Sequence, residues 1–129
     1  MPEPASALLL IVNDDAPSRY LLARYLRQGG FRVLEANDGA EALEVVARER
    51  PDLVVLDVRL PNVSGYEVGR RLRAEPETAG IGILYVSAYY PVDVVNAEAG
   101  DGDAYMAQPI DQTELLTTVR LVLKTRRGS

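Results

Sequence analysis

Neither cysteine nor histidine occurs among the 129 residues. Their absence removes the disulfide framework, the thiolate nucleophile, the Cys/His zinc site, the Ser-His-Asp triad and the imidazole base. Chemistry on this chain therefore has to run on carboxylates, hydroxyls or a bound hard cation. Basic charge is in short supply as well: 14 Lys and Arg against 19 Asp and Glu leave a net charge of −5. That balance argues against a nucleic-acid binder, because counter-ion release needs a basic face. The basic run Lys124, Arg126 and Arg127 sits near the C-terminal end and reads as a short solvated tail. Long apolar runs are missing too. No segment approaches the roughly 20 apolar residues that cross a bilayer. The apolar stretch Leu8 to Val12 follows Glu3 rather than a basic cluster and runs straight into Asn13, Asp14 and Asp15, so it is not a signal peptide. No membrane association is expected, and the lack of cysteine is compatible with a cytoplasmic address.

What is present is 47% hydrophobic and 26% charged, the make-up of one compact domain with no room for a second core. Residues 1–6, with Pro2 and Pro4, read as a loose lead-in, residues 7–125 as the domain, and residues 126–129 as a frayed tail. Short continuous apolar runs recur along it: Leu8 to Val12, Phe31 to Ala36, Leu53 to Leu56, Ile81 to Val86 and, more weakly, Ala104 to Ala107. Runs of this kind, rich in Val, Ile and Leu, suit strands buried on both faces of a parallel sheet.

Amphipathic stretches lie between the runs. Arg19 to Gln28 sets Leu21, Leu22, Tyr25 and Leu26 at helical spacing and stops at Gly29-Gly30, where glycine takes the left-handed cap. Asp38 and Glu41 have capping-box spacing and open a helix that reaches about Glu49, before Pro51; a third helix spans about Gly65 to Ala74. Pro91 to Ala99 carries Val92, Val94 and Val95, a helix that depends on packing because its β-branched residues are weak helix formers. The last begins at an Asp111 cap with Glu114 and bears Leu115, Leu116, Val119, Val122 and Leu123 up to Lys124. Five strands alternating with five helices predict an α/β fold, a flavodoxin-like doubly wound parallel sheet of order 2-1-3-4-5.

Ligands of such sheets bind beyond the carboxyl ends of the strands, near the reversal between strands 1 and 3. Strand 1 ends in Asn13-Asp14-Asp15, strand 3 in Asp57, strand 4 in Ser87-Ala88 and strand 5 in Gln108-Pro109. Carboxyls brought together there repel one another unless a cation joins them or a proton is retained. An oxygen-only cluster selects Mg²⁺ or Mn²⁺ over zinc or copper.

The run Pro51 to Val68, with Asp57, then Pro61 and Gly65, resembles the phosphoacceptor segment of bacterial two-component response-regulator receiver domains, the CheY-like family. The resemblance extends from Leu8 to about Leu123 and takes in the acidic end of strand 1, Ser87-Ala88, Tyr105 and Pro109. It implies a phosphoprotein of a phosphorelay in which Asp57 accepts a phosphoryl group from a partner histidine kinase or phosphotransfer domain. Such a chain is no enzyme beyond self-catalysed phosphotransfer and autodephosphorylation. The resemblance makes Asp14 a direct Mg²⁺ (or Mn²⁺) ligand, with Asp57 and the backbone carbonyl of Arg59 as further ligands and Asn13 acting through a water. Ser87 would hydrogen-bond a phosphoryl oxygen, Ala88 would leave access for the donor, and Tyr105 would be the aromatic that turns inward as the Ser87 hydroxyl moves. The Gln108-Pro109 bond is expected to be cis. The face made by the fourth helix, fifth strand and fifth helix, with Tyr89, Tyr90, Val92, Val94 and Val95 along one edge, would suit a homodimer or a kinase contact.

Two positions depart from the family pattern. A gapless reading puts Asn13 on the first acidic position and Asp14 on the second; the alternative pairs Asp14 with Asp15 and deletes one residue in the first helix. The gapless register is preferred because Arg19, Tyr20 and Gly30 then also match, and it costs the cation site one charge at Asn13. Gln108 stands where the family has a lysine that pairs with the phosphoryl group, and an amide donates a hydrogen bond without balancing charge. Arg59 is either placed to supply a cation instead or a solvated loop residue. Asn13, Arg19-Tyr20, Ser87-Ala88 and Gln108-Pro109-Ile110 resemble receivers joined to hybrid sensor histidine kinases. No effector segment is seen after the last helix, so the expectation is a single-domain regulator or a domain excised from a longer protein. The second expectation is a degenerate receiver serving as a phosphorylation-independent docking or dimerisation module. A flavodoxin or phosphatase ranks third, because an acidic loop after strand 1 repels phosphate and Asp57-Val58-Arg59 lacks the second Asp of a haloacid-dehalogenase-type site.

Overall fold

A computed structural model describes residues 7–88 and 102–128. The strands are β1 (Leu8–Val12), β2 (Arg32–Ala36), β3 (Leu53–Asp57), β4 (Gly82–Ser87) and β5 (Ala104–Ala107). They form one sheet in the order β2-β1-β3-β4-β5, every neighbouring pair parallel. The three inner strands are the uninterrupted apolar ones, because both their faces are covered; Leu9, Leu10, Ile11, Leu53, Val54, Leu56, Ile83 and Leu84 are all fully buried. The expected strand starts at Phe31 and Ile81 fall one residue early, both residues lying just outside the ladder.

The described helices are α1 (Ala16–Gln28), α2 (Gly39–Glu49), α3 (Gly65–Ala74) and α4 (Gln112–Gly128). The helix expected over Pro91 to Ala99 lies outside the described residues. Side chains alternate along each strand between two cores. Leu9, Ile11, Leu53, Val55, Leu84 and Val86 face α1 and α4. Leu10, Val12, Val54, Leu56, Ile83 and Tyr85 face α2 and α3.

Helix ends follow local chemistry. Asp15 caps α1 and accepts from the Ser18 backbone N–H at 3.0 Å, so the helix starts three residues before Arg19. At its other end Gly29 is not left-handed (φ −81°); Gly30 takes that conformation (φ 94°). The N–H of Gly30 donates to Arg27 O and that of Phe31 to Leu26 O, the pairing that closes a Schellman cap. Asp38 caps α2 as expected, but Glu41 accepts from the Asn37 N–H rather than reaching back to Asp38. Ser64 and Asp111 cap α3 and α4 through the N–H groups of Glu67 and Glu114. The last helix runs on through Gly128, and Arg126 lies not in a loose tail but against Asp103, 2.6 Å from its carboxylate.

Candidate phosphoacceptor site

The parallel sheet brings the carboxyl ends of β1, β3, β4 and β5 to one edge, and the order reverses between β1 and β3. Val12 pairs with Leu56, Asp57 with Val86 and Ser87 with Ala107. Asn13-Asp14, Asp57 and Ser87 therefore leave adjacent strands side by side.

Asp57 is the last residue of β3 and is half-buried, with Oδ1 accepting from the Arg59 N–H at 3.2 Å. The loop after it is pinned: Val58 N donates to Val86 O and Gly65 N to Val58 O, each at 3.0 Å. Helix α3 starts so close to this turn that a Cβ on Gly65 would overlap the Asp57 carbonyl oxygen and lie 2.9 Å from the Val58 Cα. The spacing from Asp57 to Gly65 is thus a packing requirement as well as a sequence motif.

The acidic loop divides its labour. Asn13 is buried, its N–H donates to Ala36 O at 3.1 Å, and its Oδ1 accepts from the Asp15 N–H at 2.8 Å. Asp15 is held below the ordinary carboxylate range by the Ser18 hydroxyl and then the Ser18 N–H, both donating to its carboxylate. That commits Asp15 to the helix cap, whereas Asp14, equally exposed, makes no side-chain hydrogen bond among the described residues.

Ser87 ends β4 with its side chain buried, and its carbonyl accepts from the Gln108 N–H at 2.9 Å. The Gln108-Pro109 bond is cis. Gln108, Pro109 and Ile110 line a cleft of about 520 Å³ with Ser18, Leu21, Leu22 and Tyr25 of α1. Tyr105 is half-buried beside Tyr85 across the β4–β5 ladder and packs on the α2/α3 core. Arg59 is exposed. Residues Tyr89, Tyr90, Val92, Val94 and Val95 of the expected interaction face lie outside the described residues.

The groups that could hold a cation at this edge are oxygens: the Asp14 and Asp57 carboxylates and the Arg59 carbonyl. Among the described residues no cluster of three or more acids is formed. Two carboxylates with open positions fit Mg²⁺, which keeps several waters and takes only one or two carboxylates. Sequence reasoning missed the role of Arg19, whose Nη1 donates to Asn13 O at 2.7 Å while Nε donates to Glu35 Oε1 at 3.1 Å. The position of Arg19 on α1 was visible, but its pairing with Glu35 of β2 was not.

Residues 9–120 match the response regulator receiver domain family. The chain is 41% identical over 116 residues to the response regulator MprA of Mycobacterium leprae, covering 90% of this chain and 50% of that protein. It thus spans about half the length of the response regulators it matches. Its fold is similar to the receiver domain of a signal transduction histidine kinase from Syntrophus aciditrophicus, with TM-score 0.88, 26% identity and coverage of 96% and 95% of the two chains. It is similar also to the receiver domain of a sensor histidine kinase from Pseudomonas aeruginosa PAO1, at TM-score 0.82, 28% identity and coverage of 96% and 99%. That structure holds a magnesium ion coordinated in its active-site cleft. No described helix here is long and apolar enough to cross a membrane.

Proposed function

The chain belongs to the response regulator receiver domain family, and from that membership we propose that Asp57 accepts a phosphoryl group from a phosphohistidine on a partner kinase or phosphotransfer domain. The observation that carries the proposal is the half-buried Asp57 carboxyl at the end of β3, beside the exposed Asp14 where the strand order reverses. A carboxylate oxygen of Asp57 bonds to phosphorus as the phosphorus–nitrogen bond of the donor histidine breaks, leaving an acyl phosphate on this chain and a neutral imidazole on the partner. The donor histidine has to come from elsewhere, since this sequence has none.

The Arg59 N–H on Asp57 Oδ1 orients the carboxyl, and the Val58 and Gly65 hydrogen bonds hold the turn so that little reorganisation accompanies attack. Asp14, Asp57 and the Arg59 carbonyl would hold Mg²⁺ (or Mn²⁺), with Asn13 contributing through a water. The ion supplies charge neutralisation for the transferring oxygens. The Ser87 hydroxyl, at the end of the neighbouring strand, is the hydrogen-bond donor to a phosphoryl oxygen, and Tyr105, one strand further, is the aromatic that follows its movement. A cytoplasmic location follows from this role.

One observation favours a second reading. Gln108 is neutral where receivers carry the lysine that pairs with the phosphoryl group, and Asn13 removes an acid from the loop. A receiver with these changes could serve as a docking or dimerisation module whose fold, not its phosphorylation, is the signal. Incubation with acetyl phosphate and Mg²⁺, followed by intact mass, decides between the two. The first reading expects one added phosphoryl group on the wild type and none on Asp57→Ala or in EDTA. An unmodified wild type, or an adduct that survives Asp57→Ala, refutes it.

A further inference from the structure

Arg19 is bound into the acidic loop, yet phosphoryl transfer to Asp57 does not call on it. Asn13 is gripped through both of its flanking peptide groups: its N–H is held by Ala36 O of β2 at 3.1 Å, and its carbonyl, in the peptide that leads to Asp14, by Arg19 Nη1 of α1 at 2.7 Å. Asp14 follows directly, so this grip sets the direction in which the Asp14 side chain leaves the backbone. The same planar guanidinium holds Glu35 Oε1 through Nε at 3.1 Å, a two-sided engagement that suits arginine's rigid fork. The other Glu35 oxygen lies 3.5 Å from Arg27 Nη2.

Electrostatics gives the pair a second consequence. The Arg19 side chain is only 15% exposed and that of Glu35 33% exposed, so the charges are incompletely screened. An arginine bonded to the carbonyl of Asn13, the residue before Asp14, opposes a dication bound there. Glu35 offsets the opposition from the far side of the guanidinium.

We infer that Arg19 and Glu35 form a positioning pair for the divalent-cation site: Arg19 fixes the peptide that aims Asp14, and Glu35 cancels the charge Arg19 would set against the cation. The inference rests on Asp14 and Asp57 being the cation ligands. Neither residue touches the ion; both act through the loop.

The test is Mg²⁺ binding to the unphosphorylated full chain, followed by amide NMR shifts at low and high salt, for wild type, Arg19→Lys and Glu35→Gln. Thermal melting in EDTA is measured in parallel. Arg19→Lys keeps the charge but loses the fork, and its Mg²⁺ affinity is expected to fall about 3- to 10-fold, near or below the low end of losses seen for residues supporting metal ligands, at both salt levels. Glu35→Gln keeps the shape but exposes the Arg19 charge. Its loss is expected to be similar at low salt and to shrink as the Debye length contracts from about 30 Å at 0.01 M to about 3 Å at 1 M. Unchanged affinity in both variants overturns the inference, as does a loss that merely tracks lowered melting temperature or a Glu35→Gln deficit indifferent to salt. A wild type that binds no Mg²⁺ overturns the cation-site reading and this inference with it; a wild type that binds while neither variant differs overturns this inference alone.

Discussion

Replacing Gly69 with alanine should have opposite effects in two backgrounds. Gly69 lies mid-way along α3 and packs against Tyr85, which is 1% exposed on β4. A Cβ there would fall well inside contact distance of the Tyr85 hydroxyl oxygen, 3.1 Å from Cζ and 3.6 Å from Cε1. The ring can yield only a few tenths of an ångström. Tyr66 meets it edge-on, with centroids 4.9 Å apart at 65°. On another side a Cβ at Gly102 would be 2.5 Å from the ring's Cδ2, so that backbone is already against the ring. Overpacking of this kind costs about 1–3 kcal/mol, while alanine improves a helix interior by about 1 kcal/mol over glycine. Gly69→Ala in the wild type should therefore lose up to about 2 kcal/mol. In Tyr85→Phe the offending oxygen is gone, the residual 3.1 Å approach needs a shift of a few tenths of an ångström, and the same substitution should gain up to about 1 kcal/mol. The two backgrounds then differ by about 1–3 kcal/mol, or some 4 °C in Tm per kcal/mol for a domain of this size. Urea unfolding followed by far-UV circular dichroism at constant m-value reads the difference directly. Equal effects in both backgrounds, to within about 0.5 kcal/mol, would show that the hydroxyl does not limit the approach of α3 to the sheet.

Gly65→Ala faces backbone rather than a side-chain tip, the Asp57 carbonyl and the Val58 Cα. It should cost about 3 kcal/mol and slow phosphoryl uptake from acetyl phosphate, since α3 must back away from the turn; normal uptake with normal Tm would contradict the packing. Asp103→Asn keeps the acceptor for the Ile83 N–H but withdraws the charge shared by Arg73 and Arg126. A loss of about 2 kcal/mol and faster hydrogen exchange at the end of α4 are expected. Glu67 is lowered from 4.5 to about 2 by its hydrogen bonds from Arg70 and then Arg71. Because its folded value is depressed, its contribution is complete above pH 4.5 and fades as pH falls toward 2. Stability of Glu67→Gln relative to wild type, measured across that window, should converge at the acid end, and the gap at neutral pH should narrow with salt because the group is exposed.

Much of the fold was legible because its cause is local. A strand covered on both faces must be apolar at every position, so β1, β3 and β4 show as continuous runs. Helix starts show as Asp38 and Asp111 because a cap bonds an N–H three residues on, whereas the Ser64 cap of α3 emerged only from the structure. Asp14, Asp57, Ser87 and Gln108 could be placed on one edge because a doubly wound sheet aligns its strand ends. The glycine pair after α1 was recognised as a stop, but which of the two would be left-handed depended on how Phe31 enters the core. Asp15 carried no mark separating it from Asp14 until Ser18 was seen to claim its carboxylate.

What the amino-acid order decided by itself, then, is the order of elements, the two-faced burial of the inner strands and the kinds of atom at their ends, all set by neighbours within a few residues. Only the tertiary structure decided which distant residues meet: Arg19 with Glu35 across α1 and β2, Asp103 with Arg73 and Arg126, and Gly69 with Tyr85. Such pairings depend on register between strands and the approach of helices to the sheet, distances of a few ångströms set by the packing of the whole core rather than by any one segment.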